Sequence, residues 1–100
     1  MSSFDHTQLD DVIHGRLRLG VMAYLSTVSP APFLELKAKV NATDGNLSTH
    51  LSKLEEAGYV RIEKTFLGKK PHTLVHLTKA GRTAWIDYLN RLQALLSASD

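Results

Sequence analysis

The chain has 100 residues, of which 43% are hydrophobic and 22% charged, so its composition is that of one folded domain and not of a disordered chain. It has no cysteine, which excludes disulfide scaffolds and thiolate zinc sites. It has no apolar run near the roughly 18 residues of a membrane span and no signal-peptide pattern in residues 1–6, and we therefore expect a cytoplasmic protein. The net charge of +2 is unevenly distributed, because residues 61–82 contain six basic residues and one acidic residue. This basic segment indicates either a surface that binds a polyanion or a solvated lysine-rich hairpin.

The first part of the chain predicts two helices after a short lead-in. Residues Leu9–Ile13 indicate an opening turn or helix. Apolar side chains then recur at helical spacing over Arg16–Val28 and over Phe33–Val40, which predicts two amphipathic helices. The segment Ser29–Pro32 separates them, because its prolines end the first helix and Pro32 suits the first turn of the second.

A third helix is predicted over Asn46–Ala57. The preceding turn residues, Asn41–Gly45, include a candidate helix cap, and Gly58 is a natural helix stop. Because only this short turn joins the helix to the one before it, the pair is a helix-turn-helix candidate. Three leucines recur at positions i, i+4 and i+7 and share one face: Leu47, Leu51 and Leu54.

The pattern then changes to the alternation that is typical of β-strands. Apolar and polar side chains alternate over Tyr59–Phe66, and Thr73–Leu77 is a second short β-like run. Between the two runs, Leu67–Pro71 predicts a tight basic loop. Together these segments predict a β-hairpin with a cationic tip.

A long C-terminal helix completes the predicted order of elements. Thr78 can cap this helix, and apolar side chains at coiled-coil-like spacing continue it to about Leu96. Three helices followed by a basic hairpin form the winged-helix arrangement. The expected fold class is therefore mainly α with a small β-hairpin (α+β): a winged helix-turn-helix in one domain, residues 1–100, with its core at about 9–82 and an additional C-terminal dimerisation helix at about 79–96.

The polar face of the third helix is the candidate DNA-binding surface. Small hydroxyl and amide side chains let a helix enter the major groove, about 12 Å wide, and contact base edges and phosphates. Cations near the hairpin tip can bind phosphates or the minor groove beside it. An ordinary solvated helix would carry similar residues, and Arg61 and Arg82 fit structural ion pairs as well as DNA contacts. The predicted DNA-binding residues are Asn46, Ser48, Thr49, Ser52, Lys53, Lys64, Lys69, Lys70 and His72.

The last helix carries an apolar stripe that predicts a dimer interface. A helix at the chain end has little left to cover it in its own domain, and an uncovered apolar patch usually marks an interface. The alternative is that the stripe packs against the helix containing residues 17–28. We favour a mixed arrangement with Trp85 in the core and Leu92 and Leu96 between the two copies. The predicted dimerisation residues are Trp85, Tyr88, Leu89, Leu92, Leu95 and Leu96.

The stretch from Leu36 to Val60 resembles the small stand-alone winged helix-turn-helix regulators of the MarR/ArsR-like group. The resemblance is strongest at Thr43–Ser48 and Lys53–Val60, is supported by Gly68–Pro71 and Leu77–Arg82, and extends over roughly residues 9–90. It implies a dimeric transcription factor in which the helix at 46–57 enters the major groove. It also implies that the wing, residues 64–72, contacts the DNA backbone or the minor groove.

Other functions find less support in the sequence. Without cysteine or a compact His/Asp/Glu trio we expect no metal site and no cofactor, and polar histidines packed among helices explain residues such as His50 better. No nucleophile elbow, phosphate loop or catalytic carboxylate pair is present, so we expect no enzyme. The expected partners are double-stranded DNA and a second copy of the chain, and a small-molecule effector would leave no motif. The alternative is a winged-helix module that binds only proteins.

Overall fold

The computed structural model describes residues 6–97. Residues 1–5, which account for most of the segment tested for a signal peptide, and residues 98–100 lie outside this range. A short 3-10 turn at His6–Gln8 precedes the regular elements. These elements are α1 (Arg16–Leu25), β1 (Ala31–Pro32), α2 (Phe33–Val40), α3 (Asp44–Glu56), β2 (Val60–Leu67), β3 (Lys70–Leu77) and α4 (Lys79–Ser97).

The sheet has three strands rather than the two predicted, in the order β1-β3-β2 and entirely antiparallel. The added strand, β1, contains two residues, Ala31 and Pro32, which pair with Val75 and Leu74 of β3. The sequence of this segment predicts only a helix break. A proline has no backbone N–H to donate, so it is tolerated on an edge strand, and the apolar pattern of two residues is too short to predict one.

The hairpin turn is tighter than predicted. Leu67 pairs with Lys70, so the expected loop over Leu67–Pro71 is reduced to Gly68 and Lys69. Gly68 has φ of 66°, and the two-residue turns that match the twist of a hairpin begin with positive φ. Lys69 therefore lies in the turn, whereas Lys70 is the first residue of β3.

Two helix boundaries also differ from the prediction. α1 ends at Leu25 and not at Val28, because the hydroxyls of Ser26 and Thr27 donate back to carbonyls of the last turn, at 2.6 and 3.0 Å. α3 starts two residues early, at Asp44. The cap lies within the predicted turn segment, as expected: the Thr43 hydroxyl accepts from the backbone N–H of Asn46 at 3.2 Å.

The core lies between the three N-terminal helices, the sheet and the first half of α4. The three leucines of α3 predicted to share a face are all buried, together with Trp85 and Tyr88 of α4. Gly81 lets α4 approach the sheet, since a Cβ there would lie 2.1 Å from the Tyr59 carbonyl oxygen. The Thr78 hydroxyl accepts from the Gly81 N–H at 2.9 Å, which confirms Thr78 as the cap of α4.

The segment before α1 is tied to this core by polar contacts. The Tyr59 hydroxyl donates to Asp10 at 2.5 Å, and His14 Nδ1 lies 3.0 Å from the Tyr88 hydroxyl. The Arg18 guanidinium donates to the Val12 carbonyl at 3.3 Å. Among residues 6–97 no helix combines the length and hydrophobicity needed to cross a bilayer.

Candidate nucleic-acid interface

The predicted DNA-binding residues of α3 all lie on its exposed side. At roughly 100° per residue, Leu47 and its two partner leucines define the buried direction, and Thr49 points almost directly opposite. Ser48 lies on one flank of this exposed face and Asn46 on the other. The exposed side chains are those of Asn46, Ser48, Thr49, Ser52 and Lys53.

The N-terminal half of α3 carries little net negative charge. Its one acidic residue, Asp44, pairs with Lys37 of α2 at 2.7 Å, and a carboxylate in the first turn also stabilises the positive end of the helix dipole. Glu55 and Glu56 lie at the other end of the helix. The Glu55 carboxylate accepts from the backbone N–H of Ile62 at 3.4 Å, which ties α3 to β2. The end of α3 predicted to enter a groove is therefore polar and nearly neutral.

The wing is exposed and basic. Lys64, Lys69 and Lys70 are exposed, and none of them forms an ion pair with any residue in the described part of the chain. The acidic residue of the hairpin, Glu63, contacts His76 Nε2 at 2.7 Å. Its negative charge is therefore directed across the strands, away from the lysines at the tip.

α3 and the wing are brought together around two depressions. Ser48 and Ser52 of α3 line the first, of about 560 Å³, with Lys64 of β2 and Thr73 of β3. In the second, His72 lies beside Asp44 at the start of α3. The wing thus flanks α3 on the Ser48 side. Lys69 and Lys70 lie farther out along the hairpin.

On the other flank of α3 the structure places two cations that the sequence analysis did not assign. Arg16 and Lys39 line a groove shared with Asn46 and His50 of α3. They belong to two different helices, so no local spacing relates them, and only the packing of α1 against the α2–α3 unit brings them together. Of the two arginines left open from the sequence, Arg82 donates to the Ser26 carbonyl at 3.4 Å, a structural contact, and Arg61 is exposed.

The residues predicted for dimerisation divide into two groups. Trp85 is 9% and Tyr88 2% exposed, so both contribute to the core of the protomer and are stacked at a ring distance of 5.9 Å. Leu89 and Leu96 are 42% and 64% exposed. Leu92 and Leu95 are half-buried against the core, and Ile86, which the sequence analysis omitted, is 53% exposed. Its position three residues before Leu89 is the signal that could have identified it.

Three histidines, His14, His50 and His76, contact other side chains of the fold. His50 Nδ1 accepts from the Arg18 guanidinium at 3.0 Å, which joins α3 to α1. His14 and His76 contact Tyr88 and Glu63 as described above. Within residues 6–97 no three His, Cys, Asp or Glu side chains are grouped as a metal ion would require.

Comparison with known proteins gives a family and a set of structural relatives. Residues 17–96 match the sequence pattern of a family described as the winged helix DNA-binding domain. Over 84 residues the chain is 34% identical to an uncharacterized protein of Methanocaldococcus jannaschii, a match that covers 84% of the chain and 91% of that protein.

Two solved structures share the fold. A transcriptional regulator homologue protein from Pyrococcus horikoshii superposes with a TM-score of 0.89 and 28% identity, over 100% of the chain and 99% of its own. A MarR-family transcriptional regulator from Silicibacter pomeroyi superposes with a TM-score of 0.66 and 24% identity, over 89% of the chain but only 57% of its own. The winged-helix fold predicted from the sequence is confirmed, and a MarR-family regulator shares this fold.

Proposed function

Because the chain belongs to the winged helix DNA-binding domain family, we propose that it is a sequence-specific transcriptional regulator that binds double-stranded DNA as a homodimer. In this proposal α3 enters the major groove, and the wing contacts the phosphate backbone or the minor groove beside it. Membership of this family supports DNA binding, and similarity to the transcriptional regulator homologue of Pyrococcus horikoshii supports a regulatory role.

One observation carries the proposal: the exposed polar face of α3 lies directly beside the cationic wing. Asn46, Ser48 and Thr49 present amide and hydroxyl groups that can donate to and accept from base edges in the major groove. The wing lysines have no acidic partner among the described residues, so their charge remains available for phosphates. A winged helix that binds only proteins does not require amide and hydroxyl side chains that can contact bases next to lysines without acidic partners.

The proposal requires a dimer because one winged helix contacts only a few base pairs. Two copies related by a two-fold axis place two α3 helices on half-sites roughly 34 Å apart, one turn of DNA. The exposed apolar residues of α4 supply the surface that a second copy would cover. In the second half of this helix, after Tyr88, no residue is fully buried in the protomer.

The test is selection of duplexes from random DNA, followed by fluorescence anisotropy with the selected duplex and a scrambled one of equal composition. We expect the selected duplex to be two-fold symmetric and to bind at least about 10³-fold more tightly than the scrambled one. We also expect affinity for both duplexes to fall steeply as salt rises from about 50 to about 200 mM. If the wild-type protein enriches no sequence and shows no salt-dependent retention on DNA, the protein-binding alternative replaces this proposal.

A further inference from the structure

A groove of about 1020 Å³ runs along α1, on the side of α3 opposite to the wing. Residues from α1, the end of α2, the α2–α3 turn and α3 form its walls. Two of these residues, Arg16 and Lys39, are exposed cations, and among the described residues no acidic side chain lines the groove, although Tyr24 in its wall donates to the Glu35 carboxylate of α2. We name this feature the α1 groove; it had no role in the function predicted from the sequence.

The two cations of the α1 groove are not neutralised by the rest of the fold. Neither side chain forms an ion pair or a hydrogen bond with another residue in the described range, 6–97. Their sequence neighbours behave differently, since Lys37 pairs with Asp44 and Arg18 donates to His50. The fold therefore uses the adjacent cations for structure and leaves this pair available.

The packing of α1 against α2 fixes the two cations in one groove. Gly20 of α1 packs against Val40 of α2, where a Cβ would lie in van der Waals contact with Val40 Cγ1 at 3.4 Å. Asn41 then ends α2 in the left-handed conformation, with φ of 54° and ψ of 53°, and turns the chain toward α3. Lys39 is thus held beside the α2–α3 turn, and Arg16, the first residue of α1, lines the same groove.

The α1 groove is continuous with the DNA-facing side of α3. Asn46, which we expect to contact a base, belongs both to the exposed face of α3 and to the wall of this groove. The wing-side depression, by contrast, contains Ser48 and Lys64. The polar face of α3 therefore has a cationic flank on each side, one from the wing and one from α1 and α2.

A helix in the major groove has a phosphate backbone on both sides, and the wing can contact only one of them. We propose that Arg16 and Lys39 bind the phosphates at the edge of the major groove opposite to the wing, so that α3 is held between two phosphate contacts. This inference rests on the proposed function, because it assumes that α3 lies in the major groove. It assigns to the α1 groove a ligand of defined chemistry, the sugar-phosphate backbone of the bound operator.

The first test compares Arg16→Gln/Lys39→Gln with a control that removes the same charge elsewhere, Lys79→Gln/Arg82→Gln. Lys79 and Arg82 are exposed at the start of α4, and Arg82 contacts the far end of α1 at Ser26. The slope of log affinity against log salt is expected to become shallower by about 3.6 for Arg16→Gln/Lys39→Gln, since each phosphate contact contributes about 0.9 and the dimer loses two contacts in each copy. Discrimination between the selected and scrambled duplexes is expected to stay at the wild-type value, because phosphates carry no base sequence.

The second test locates the contact by phosphate-ethylation interference on the selected duplex. With wild-type protein we expect interference at phosphates on both edges of the major groove in each half-site. Arg16→Gln/Lys39→Gln should lose interference at one edge only, and Lys69→Ala/Lys70→Ala at the other edge only. Loss at the same edge for both variants, or an unchanged pattern and salt slope for Arg16→Gln/Lys39→Gln, overturns this inference while the proposed function stands. Absence of salt-dependent binding by the wild-type protein overturns the proposed function itself.

Discussion

Asn46 and Thr49 illustrate how single residues of α3 are assigned to DNA contact. Both side chains are exposed, and neither contributes a side-chain hydrogen bond to the fold within the described residues. The backbone N–H of Asn46 binds Thr43, but its amide does not, so replacing the side chain leaves the helix cap intact. Both groups are therefore available for contact with DNA.

Asn46→Ala and Thr49→Ala are each expected to reduce discrimination between the selected and scrambled duplexes. The expected loss is about 1–3 kcal/mol for each base contact removed, with a smaller change in binding to the scrambled duplex. Competition anisotropy with the two duplexes measures the difference. Thr83→Ala, an exposed residue of α4, is the matched control. Wild-type discrimination in both variants would show that α3 is oriented differently on DNA.

Tyr59 links the N-terminal segment to the rest of the domain through its hydrogen bond to Asp10. The contribution of this hydrogen bond to the free energy of unfolding depends on pH, and the pKa of Tyr59 gives the sign of the dependence. The hydrogen bond to Asp10, aided by burial and by the negative charge of that carboxylate, raises the pKa of Tyr59 from 10.0 to about 12. The unfolded chain therefore loses this proton at lower pH than the folded chain does. The stabilisation is complete below about pH 10 and is lost as the pH rises through about 12.

Tyr59→Phe is accordingly expected to be less stable than the wild type near neutral pH, and the difference should shrink above about pH 10. Urea unfolding of both proteins at a series of pH values measures it, and the titration of lysines, common to both, cancels in the comparison. A difference in the free energy of unfolding that stays constant up to about pH 12 would contradict the assignment of the Tyr59–Asp10 contact.

Among the elements, the wing has charged side chains that take no part in the contacts that hold its two strands together. Its strand register is fixed by pairing and by the Gly68 turn, whereas Lys69 and Lys70 have no ion-pair partner among residues 6–97. The lysines can therefore be removed without loss of a contact that holds the hairpin. This makes the wing a suitable place to measure electrostatic binding alone.

Lys69→Ala with Lys70→Ala is expected to weaken binding to all duplexes by a similar factor. The slope of log affinity against log salt should become shallower by about 3.6, because two phosphate contacts in each copy of the dimer no longer release counterions. Anisotropy titrations at several salt concentrations measure the slope, with Lys79→Ala/Arg82→Ala as the equal-charge control. An unchanged slope would remove the wing tip from the interface.

For the whole molecule, the notable feature is its elongation. The radius of gyration is 15.0 Å, against about 13 Å for a compact chain of this length, and the longest extent is 57 Å. The hairpin and the second half of α4 extend beyond the core. α4 has 19 residues, and its fully buried positions are confined to its first half, ending at Tyr88. Ile86, Leu89 and Leu96 form an exposed apolar strip beside the buried face.

Leu89→Glu with Leu96→Glu is expected to give a folded monomer. Both side chains are exposed in the protomer, so the two charges would disrupt an intermolecular surface and not the core. Sedimentation measures the mass, and circular dichroism verifies the fold. The affinity for the symmetric duplex should fall strongly while that for a single half-site is retained.

The control for this experiment is Thr83→Glu with Ala94→Glu, which places two carboxylates on the other exposed side of α4. This variant is expected to remain dimeric and to bind the symmetric duplex like the wild type. A wild-type protein that sediments as a monomer at micromolar concentration would refute the dimer regardless of its DNA affinity.

The sequence by itself determined the order of the four helices and the two hairpin strands, and the inward face of α3. The spacing of Leu47, Leu51 and Leu54, the Thr78 cap and the alternation after Tyr59 are local signals, and a local backbone pattern follows from them directly. The polar face of α3 and the lysines of the wing could be predicted from the sequence for the same reason. Exposure follows from the burial of the opposite face.

Tertiary structure alone decided which separate segments meet. β1 pairs with the edge of β3, the α1 groove lies where α1 packs against α2 and α3, and Tyr88 is buried beside Trp85 and His14. None of these contacts has a period or a spacing in the chain. They depend on the shapes of packed side chains far apart in sequence, and a one-dimensional pattern does not contain that information.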